Sequence, residues 1–325
     1  MTATAFVTGS TGFLGRHLCQ QLVDADWHVT AMCRSIPENP VDGVKYVTAD
    51  LSDKAAMAAV LPDHVHVIFH TAADTSTWRL ESAQQTQTNV QGTLNLMQVA
   101  IEKNAKKFIY VSSITTFGVD HHGLIELDEN TPQEGESSWV NYVRTKSLAE
   151  GLVKDHADKL NALVVNPTHI IGPDDQHNWI RLFKMMISDS LPTVPIGSGS
   201  FVDVRDVARG CILAAEKGQP GENYILGGNN LSFVEFVKQS AEVLQLKVTL
   251  RNKPQWLLKA VAAIKLSLSH LTRKQPDLTP ESLQIISHQF TTTSNKAKTE
   301  LGYVIRPIEN SLKDIKTDLE QRGIL

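Results

Sequence analysis

Two short segments of the sequence hold residues that could move a proton to or from an oxygen atom. Tyr142 and Lys146 are four positions apart in a segment of helical pattern, so both side chains leave the same helical face. A nearby ammonium stabilises tyrosinate and lowers the pKa of the phenol, as a general acid that protonates a reduced carbonyl requires. Ser112 and Ser113 follow a short apolar run, and a serine hydroxyl there could hold the carbonyl oxygen where charge develops. A Tyr-x-x-x-Lys pair also arises by chance, so the surrounding elements decide its meaning.

A glycine-rich segment near the N-terminus, Thr8–Gly15, could bind phosphate groups. Gly9, Gly12 and Gly15 stand between a short β-branched run and a helical pattern. Glycines at this spacing allow a tight turn, a close approach to a pyrophosphate and close packing of the helix on the sheet. The helix N-terminus adds unpaired N–H groups and a positive dipole end. A purely structural turn is the alternative, but the position between strand and helix favours a dinucleotide-binding turn.

The residues after the second predicted strand bear on which dinucleotide binds. Enzymes that use NAD usually place Asp or Glu there to accept hydrogen bonds from the ribose hydroxyls. This chain has Cys33, Arg34 and Ser35 instead. Arg34 could pair with a 2′-phosphate and stack on adenine, whereas an acid would repel the phosphate. The alternative is a solvated surface arginine, so the segment favours NADP(H) over NAD(H).

The elements around these segments alternate as in a parallel sheet. Short β-branched runs and longer helical patterns follow one another through the first half of the chain. After Asn166, Gly and Pro become frequent, as in loops that shape a pocket. We therefore predict an α/β fold, a Rossmann doubly wound parallel sheet with a smaller, discontinuous, mainly helical substrate lobe. The predicted NADP(H)-binding domain comprises residues 1–166 plus about 203–228, and the lobe comprises about 167–202 plus 229–325.

Composition and charge exclude several classes of protein. The chain has 325 residues, of which 42% are hydrophobic and 20% charged, as in ordinary globular proteins. Its net charge of −4 argues against a nucleic-acid partner. The three cysteines fit no metal or disulfide spacing, and no basic stretch followed by a long apolar run opens the chain. We therefore expect a cytoplasmic protein that binds a small-molecule substrate and no metal.

One apolar segment, Trp256–Leu268, is the part of the sequence most similar to a membrane segment. It is about 13 residues long and is interrupted by Lys259 and Lys265, so it is too short and too charged to span a bilayer. We predict an amphipathic helix that covers a pocket, with a helix lying on a membrane surface as the alternative.

The first half of the sequence resembles the extended branch of the short-chain dehydrogenase/reductase superfamily, the NAD-dependent epimerase/dehydratase family. The resemblance rests on segments in the family's order: Thr8–Gly15, Asp50-Leu51, His70–Ala73, Asn89–Thr93, Ser112-Ser113 and Tyr142–Lys146. Within this branch the chain is most similar to the dihydroflavonol-reductase-like group, through Arg34, Trp139–Lys146 and Asn166-Pro167-Thr168. Together these segments cover nearly all of the first 170 residues.

The resemblance implies a role for each matched residue. Tyr142 would be the proton donor, Ser113 the carbonyl-binding hydroxyl and Lys146 the ligand of the nicotinamide ribose, while Ser112 could be structural. Asp50 would accept a hydrogen bond from the adenine amino group, with Leu51 beside the ring. The complete set of implied cofactor-binding residues is Gly9, Thr11, Gly12, Phe13, Leu14, Gly15, Arg34, Asp50, Leu51, Ala72, Ala73, Tyr142, Lys146, Pro167, Thr168 and His169.

The leading prediction is an NADP(H)-preferring oxidoreductase that transfers a hydride between nicotinamide and a carbonyl or secondary alcohol of a largely apolar molecule. The alternative is a nucleotide-sugar epimerase or dehydratase with tightly bound NAD. Asp174 stands where the sugar-nucleotide enzymes carry an arginine, and a carboxylate there disfavours a diphosphate. A non-catalytic dinucleotide-binding protein is a third reading, disfavoured because both Tyr142 and Lys146 are present.

Substrate identity and oligomeric state are less constrained by the sequence. The candidate substrate-lining residues are Trp78, Ser113, Phe117, Trp139, His169 and Trp179. The large apolar ones could equally belong to a core. Members of the family often form homodimers through the helices equivalent to 84–102 and 140–156, although monomers also occur. The sequence favours neither state.

Overall fold

The computed structural model describes residues 2–119, 123–191, 193–194, 197–249 and 255–325. The strands are β1 (Thr4–Thr8), β2 (His28–Cys33), β3 (Val44–Thr48), β4 (Val67–His70), β5 (Phe108–Val111), β6 (Leu124–Leu127), β7 (Ala162–Pro167), β8 (His169–Ile171), β9 (Ser198–Asp203), β10 (Asn223–Leu226), β11 (Asn229–Ser232) and β12 (Gln289–Thr292). The α-helices are α1 (Phe13–Asp24), α2 (Lys54–Val60), α3 (Ser82–Thr86), α4 (Gly92–Glu102), α5 (Asn141–Asp155), α6 (Ala157–Leu160), α7 (Ile180–Ile187), α8 (Val204–Lys217), α9 (Phe233–Leu244), α10 (Gln255–Thr272), α11 (Pro280–Ser287) and α12 (Ile308–Gln321).

Among the described residues, seven strands form a parallel sheet in the order β10-β7-β5-β4-β1-β2-β3. The chain runs outward from β1 through β2 to β3 and then returns to β4 on the other side of β1. The strand order therefore reverses between β1 and β4. In open α/β sheets, ligands bind in the crevice at the carboxyl ends of strands beside such a reversal. The predicted Rossmann doubly wound sheet is confirmed.

The central strands are buried on both faces because helices cover the sheet from both sides. Phe6 and Val7 are neighbours on β1 and enter opposite cores, since side chains alternate along a strand. Val7 shares a core with Leu18 of α1 and Val207 of α8, whereas Phe6 shares one with Leu96 of α4. Burial on both faces explains why the strands are apolar runs without alternation.

Short strands from distant parts of the chain form a second sheet. In the described part of the chain its order is β11-β9-β12-β6, with β8 paired to β9. Phe201 of β9 belongs to an apolar core with Phe183 of α7 and Phe236 of α9. The sequence predicted only a few short extended pieces here, because runs of three to six residues do not reveal their pairing. Strand β6 comes from the predicted first domain, so this sheet draws on more of the chain than the predicted lobe segments.

Helix α10 contains the apolar segment Trp256–Leu268. It packs against α11, and the hydroxyl of Ser269 on α10 accepts a hydrogen bond from the indole Nε1 of Trp78 at 2.9 Å. Within the described ranges, no helix combines the length and apolar character needed to cross a membrane.

Candidate active site

The glycine-rich turn and helix α5 open onto one cavity of about 540 Å³ at the carboxyl ends of β1, β5 and β7. Of the predicted site residues, those that line it are Gly9, Thr11, Gly12, Phe13, Leu14, Gly15, Ala73, Ser113, Tyr142, Lys146, Pro167, Thr168, His169 and Trp179. A cavity of this volume is in the range of small-molecule and cofactor sites. The residues singled out for phosphate binding and those singled out for proton transfer therefore share one space.

The glycine-rich turn has a backbone that requires glycine at two positions. Gly9 has a φ of +69°, and a Cβ there would lie 2.6 Å from the backbone nitrogen of Ala72. A Cβ on Gly15 would overlap the carbonyl oxygen of Gly9, so α1 can approach the turn only because Gly15 has no side chain. Gly12 precedes α1 without a side-chain cap, and the first turn of α1 has no acidic residue. Its free N–H groups and dipole therefore favour an anion at this end of the cavity.

Ser113, Tyr142 and Lys146, which the sequence assigned to one site, lie together in the cavity. The hydroxyl of Ser113 lies near enough to the phenol of Tyr142 to lower the pKa of that phenol. Ser113 also caps a short 3-10 helix, Ile114–Phe117, where its oxygen accepts a backbone N–H at 3.2 Å. Lys146, one turn beyond Tyr142 on α5, donates from Nζ to the carbonyl oxygen of Val111 at 2.7 Å. The end of β5 and the first turns of α5 thus fix the three side chains.

Burial has the largest effect on the pKa values of Tyr142 and Lys146. Burial raises the pKa of Tyr142 above its usual value, and the hydrogen bond with Ser113 offsets part of that rise. The lowered phenol pKa expected from the sequence is wrong for this geometry, because the expectation left out the cost of burying a phenolate. Burial lowers the pKa of Lys146 to about 7, while the negative charge of Glu150 acts in the opposite direction. Lys146 therefore titrates near neutral pH.

A buried carboxylate that the sequence analysis missed, Glu150, lies one turn beyond Lys146 on α5. One of its oxygens accepts a hydrogen bond from Ser112 Oγ at 2.6 Å, and the other accepts one from Asn223 Nδ2 at 2.6 Å. Its hydrogen-bond and ion-pair partners are Ser112, Gln133, Lys154, Asn166 and Asn223. Lys154 and these donors hold the pKa of Glu150 below its usual value despite its burial. The four-residue spacing from Lys146 is the sequence signal that could have found it.

A second polar group holds the loop after β4 against the cavity. His70, at the end of β4, is hydrogen-bonded through Nδ1 to Thr8 Oγ1 at 2.7 Å and through Nε2 to Thr93 Oγ1 at 2.9 Å. Burial lowers the pKa of His70 to about 3, and the Lys146 charge adds to this effect, so the ring is neutral. Asn89 accepts the Asp74 N–H at 2.7 Å. These contacts position the loop that contributes Ala73 to the cavity.

Aromatic rings form the wall of the cavity nearest the second sheet. The ring centroid of His169 lies 5.4 Å from that of Trp179, 5.5 Å from Phe290 and 5.3 Å from Phe201. His169, Trp179 and Phe290 line the cavity. Burial lowers the pKa of His169 to about 4, and the charge of His288 adds to this effect. The wall is therefore apolar and uncharged at neutral pH.

The residues predicted to bind adenine lie at the ends of β2 and β3, outside this cavity. Arg34 is exposed there. Hydrogen bonds from Ser52 and, to a smaller extent, the charge of Arg34 hold the pKa of Asp50 below its usual value. Leu51 is buried against Gly92. A Cβ added to Gly92 would lie 2.9 Å from the Leu51 side chain. Arg34 and Asp50 thus form a polar edge beside the glycine-rich turn, and their adenine role stays a prediction.

Three residues predicted to line the substrate site lie elsewhere. Phe117 is fully buried in a core with Leu127 and Phe290. Trp78 and Trp139 border a separate cavity of about 80 Å³ that also touches Tyr142. Large apolar side chains settle in a core as readily as in a pocket, so the sequence could not separate the two outcomes.

The C-terminal part of the chain supplies cavity residues that the sequence analysis did not identify. Ile285 of α11, Phe290 of β12 and His288, which directly precedes β12, line the cavity. The C-terminal residues reach the site only through the pairing of β12 with β6 and β9, which no local pattern revealed.

The cavity residues fit a dinucleotide cofactor. The glycine-rich turn offers backbone donors to phosphates, and Lys146 is a cation that lines the cavity together with Ser113 and Tyr142. Thr168, at the other side of the cavity, has a buried hydroxyl with no hydrogen-bond partner among the described residues. A ligand that donates or accepts a hydrogen bond there would satisfy this hydroxyl.

Comparison with known proteins gives a family and several relatives of full length. The model of the NAD-dependent epimerase/dehydratase family matches residues 5–227. A protein of Synechocystis sp., provisionally named dihydroflavonol 4-reductase, is 27% identical over 322 residues, covering 95% of this chain and 92% of its own. The 3beta-hydroxysteroid-dehydrogenase/decarboxylase isoform 1 of Arabidopsis thaliana is 30% identical over 344 residues, covering 94% and 77%. The crystal structure of a protein designated gox2253 is similar with a TM-score of 0.83 and 29% identity, covering 100% of both chains.

Proposed function

The chain belongs to the NAD-dependent epimerase/dehydratase family of nicotinamide-dependent enzymes, and we propose that it is an NADP(H)-preferring oxidoreductase. The family match confirms the resemblance that the sequence indicated. The proposed reaction transfers a hydride between nicotinamide and a carbonyl or secondary alcohol of a largely apolar molecule. One observation carries this proposal: the glycine-rich turn, the group of Ser113, Tyr142 and Lys146, and an aromatic wall line the same cavity.

The side chains of the cavity suit the proton transfer that accompanies such a reaction, in which the bound nicotinamide exchanges the hydride. Tyr142 Oη holds the proton that passes to the substrate oxygen on reduction. The Ser113 hydroxyl lies beside the Tyr142 phenol and holds the substrate oxygen next to that phenol. Lys146 binds the ribose and, in its charged form, favours the tyrosinate that remains after proton transfer.

An apolar, ring-bearing substrate is the proposal that the cavity supports. Trp179 and Phe290 offer ring faces and edges to a flat substrate, and His169 stays neutral beside them. The names of the Synechocystis and Arabidopsis relatives refer to a flavonol and a steroid, both ring-bearing molecules. Asp174 lies at the cavity and is more than half exposed, and its charge disfavours the diphosphate of a nucleotide sugar.

The preference for NADP(H) rests on the polar edge beside the glycine-rich turn. Arg34 follows β2 directly, where enzymes that use NAD carry an acid. Its exposed guanidinium is free to form a bidentate pair with a 2′-phosphate. Asp50 lies near it, at the end of β3, where the family resemblance assigns it to the adenine ring.

The nucleotide content of freshly purified protein separates this proposal from the epimerase alternative. Denaturation followed by chromatography releases and identifies any bound nucleotide. We expect little nucleotide or partial NADP(H), and a higher kcat/KM with NADPH than with NADH on a panel of ring-bearing ketones. Near-stoichiometric NAD without ketone reduction would contradict the proposal, because an epimerase or dehydratase returns the hydride to a captive cofactor.

A further inference from the structure

Helix α10 exposes an apolar face to solvent. Trp256, Ile264, Leu268 and Leu271 have exposed fractions of 68%, 60%, 54% and 83%. Three of these residues recur at multiples of four positions, so they form a stripe along one side of the helix. The opposite side is the one packed on the protein, where Ala262 and Ser269 are buried. An apolar stripe of this kind on a surface helix indicates an interaction site.

The stretch of sequence that contains α10 is basic in a chain that is acidic overall. Between Glu242 and Asp277 the sequence has seven Lys and Arg residues and no Asp or Glu, whereas the whole chain has a net charge of −4. At 100° per residue, Lys259 and His270 border the apolar stripe on one side. Lys265 borders it on the other side, where its ammonium is ion-paired with Asp277 at 2.6 Å. The helix therefore presents its apolar side chains beside the exposed cation Lys259, and Arg273 and Lys274 are exposed just beyond the end of the helix.

We propose that α10 docks the protein on the surface of an anionic lipid bilayer. A helix with an apolar stripe and neighbouring cations lies in the plane of the interface, with its apolar side chains among the acyl chains and its cations among anionic headgroups. Trp256 has the amphipathic ring that prefers the headgroup level. The attachment is peripheral, since α10 contains Lys259 and Lys265 and is packed on α11 along its other side.

The shape and charge of this surface favour a bilayer over a second copy of the chain. The stripe is a convex ridge on one helix, which a fluid bilayer can accommodate without a matching groove. A two-fold contact between copies through this face would bring the exposed cations of both copies, Lys259, Arg273 and Lys274, into one interface. This inference goes beyond the proposed reduction and does not depend on it.

Docking through α10 would place the bilayer beside the candidate active site. Ser269 of α10 is hydrogen-bonded to Trp78. Thr77, the residue before Trp78, lines the cavity of the candidate active site. Helix α11, packed against α10, contributes Ile285 to the same cavity. If the proposed function holds, an apolar substrate dissolved in the bilayer would have a short path to the site.

Flotation of the full-length protein with lipid vesicles tests the docking directly. The two preparations are vesicles of phosphatidylcholine alone and vesicles with about one third phosphatidylglycerol. We expect the protein to float with the anionic vesicles only, and to be released by high salt, because screening weakens the attraction between the cations and the headgroups. Ile264→Glu/Leu268→Glu should lower the floated fraction at least about fivefold, since two carboxylates oppose insertion.

A matched control adds the same charges at exposed apolar positions outside α10. Leu124→Glu/Val304→Glu alters residues that are 65% and 75% exposed and should leave flotation unchanged. Lys259→Glu/Lys274→Glu should weaken flotation without touching the apolar stripe. Circular dichroism and thermal unfolding of each variant check that it folds. Because flotation is read without any enzyme assay, its outcome is independent of whether the proposed reduction holds.

Three results would overturn the proposal. One is wild-type protein that does not float with anionic vesicles. Another is equal flotation of the wild type and the Ile264→Glu/Leu268→Glu variant. The third is a wild-type dimer in sedimentation that becomes monomeric in this variant without any vesicle binding, which would assign the face to contacts between copies.

Discussion

Glu150 follows Lys146 by one turn of α5, and the two residues fasten the helix to consecutive positions at the end of β5. Lys146 Nζ donates to the carbonyl of Val111 at 2.7 Å, and Ser112 Oγ donates to the Glu150 carboxylate at 2.6 Å. The next residue in the chain, Ser113, has its hydroxyl beside the phenol of Tyr142. The position of the proton-transfer group therefore depends on a carboxylate that does not line the cavity.

Replacing this carboxylate should change the pH dependence of turnover. The charge of Glu150 raises the pKa of Lys146, so Glu150→Gln should lower that pKa further below its value of about 7. Turnover that needs the charged form of Lys146 is lost as pH rises through its pKa, so the alkaline limb of the kcat profile should move to lower pH. Asp155→Asn, the same type of change at an exposed position of α5, is the control and should leave the profile in place. An unmoved limb in Glu150→Gln would show that Glu150 has only a structural role.

The glycine-rich turn permits a test with a matched backbone control. Gly9 and Gly123 both have positive φ values, +69° and +85°, but only Gly9 has neighbouring backbone atoms where a Cβ would be. Gly123→Ala should cost about 1 kcal/mol of stability through φ strain alone and leave nucleotide affinity unchanged. Gly9→Ala should cost more and should weaken dinucleotide binding at least about tenfold, because the turn must shift. Calorimetric titration with NADPH and NADH measures the affinities, and equal affinities for the two variants would refute the phosphate-binding assignment.

The buried imidazole of His169 should make the protein sensitive to acid. Its pKa is lowered to about 4 from 6.5, so the unfolded chain binds the proton first as pH falls. The contribution of the neutral ring to the free energy of unfolding is fully present above pH 6.5. It falls by roughly 3 kcal/mol at most as the pH drops from 6.5 to about 4. His169→Phe should therefore lose less stability on acidification than the wild type, and His28→Phe, at an exposed position, should behave as the wild type does. Thermal midpoints across this pH range measure the difference, and parallel curves would contradict it.

The sheet could be predicted from the sequence, and so could the presence of Tyr142 and Lys146 in one cavity, because the signals for both are local. The proton-transfer role of these residues stays a prediction. A glycine spacing between a strand and a helix, and a four-residue spacing on one helix, are visible in short windows. Ser113 was placed correctly beside Tyr142, although they come from different elements, because of the family resemblance. The second sheet and the contributions of Ile285 and Phe290 depend on long-range pairing of short strands, which has no local signal.

Burial was the other source of difference between sequence and structure. The direction of the Tyr142 pKa was wrong because burial outweighs the hydrogen bond with Ser113. Glu150 was missed because a carboxylate on a helix is usually solvated, and only the structure shows the buried amides and hydroxyl around it. Phe117 was a candidate for either the substrate site or a core, and it lies in a core, since size and hydrophobicity alone do not distinguish the two environments.

The central claim, that Tyr142 transfers the proton in a hydride-transfer reaction, is tested most directly by Tyr142→Phe. The measurement compares turnover of a ring-bearing ketone with NADPH, and the Kd for NADPH, in the wild type, in this variant and in Tyr46→Phe, a control on β3 outside the cavity. The account predicts that Tyr142→Phe lowers kcat by about 100-fold to 10,000-fold, with NADPH affinity nearly unchanged, because the change removes only the hydroxyl that supplies the proton. Unaltered turnover in Tyr142→Phe would contradict it.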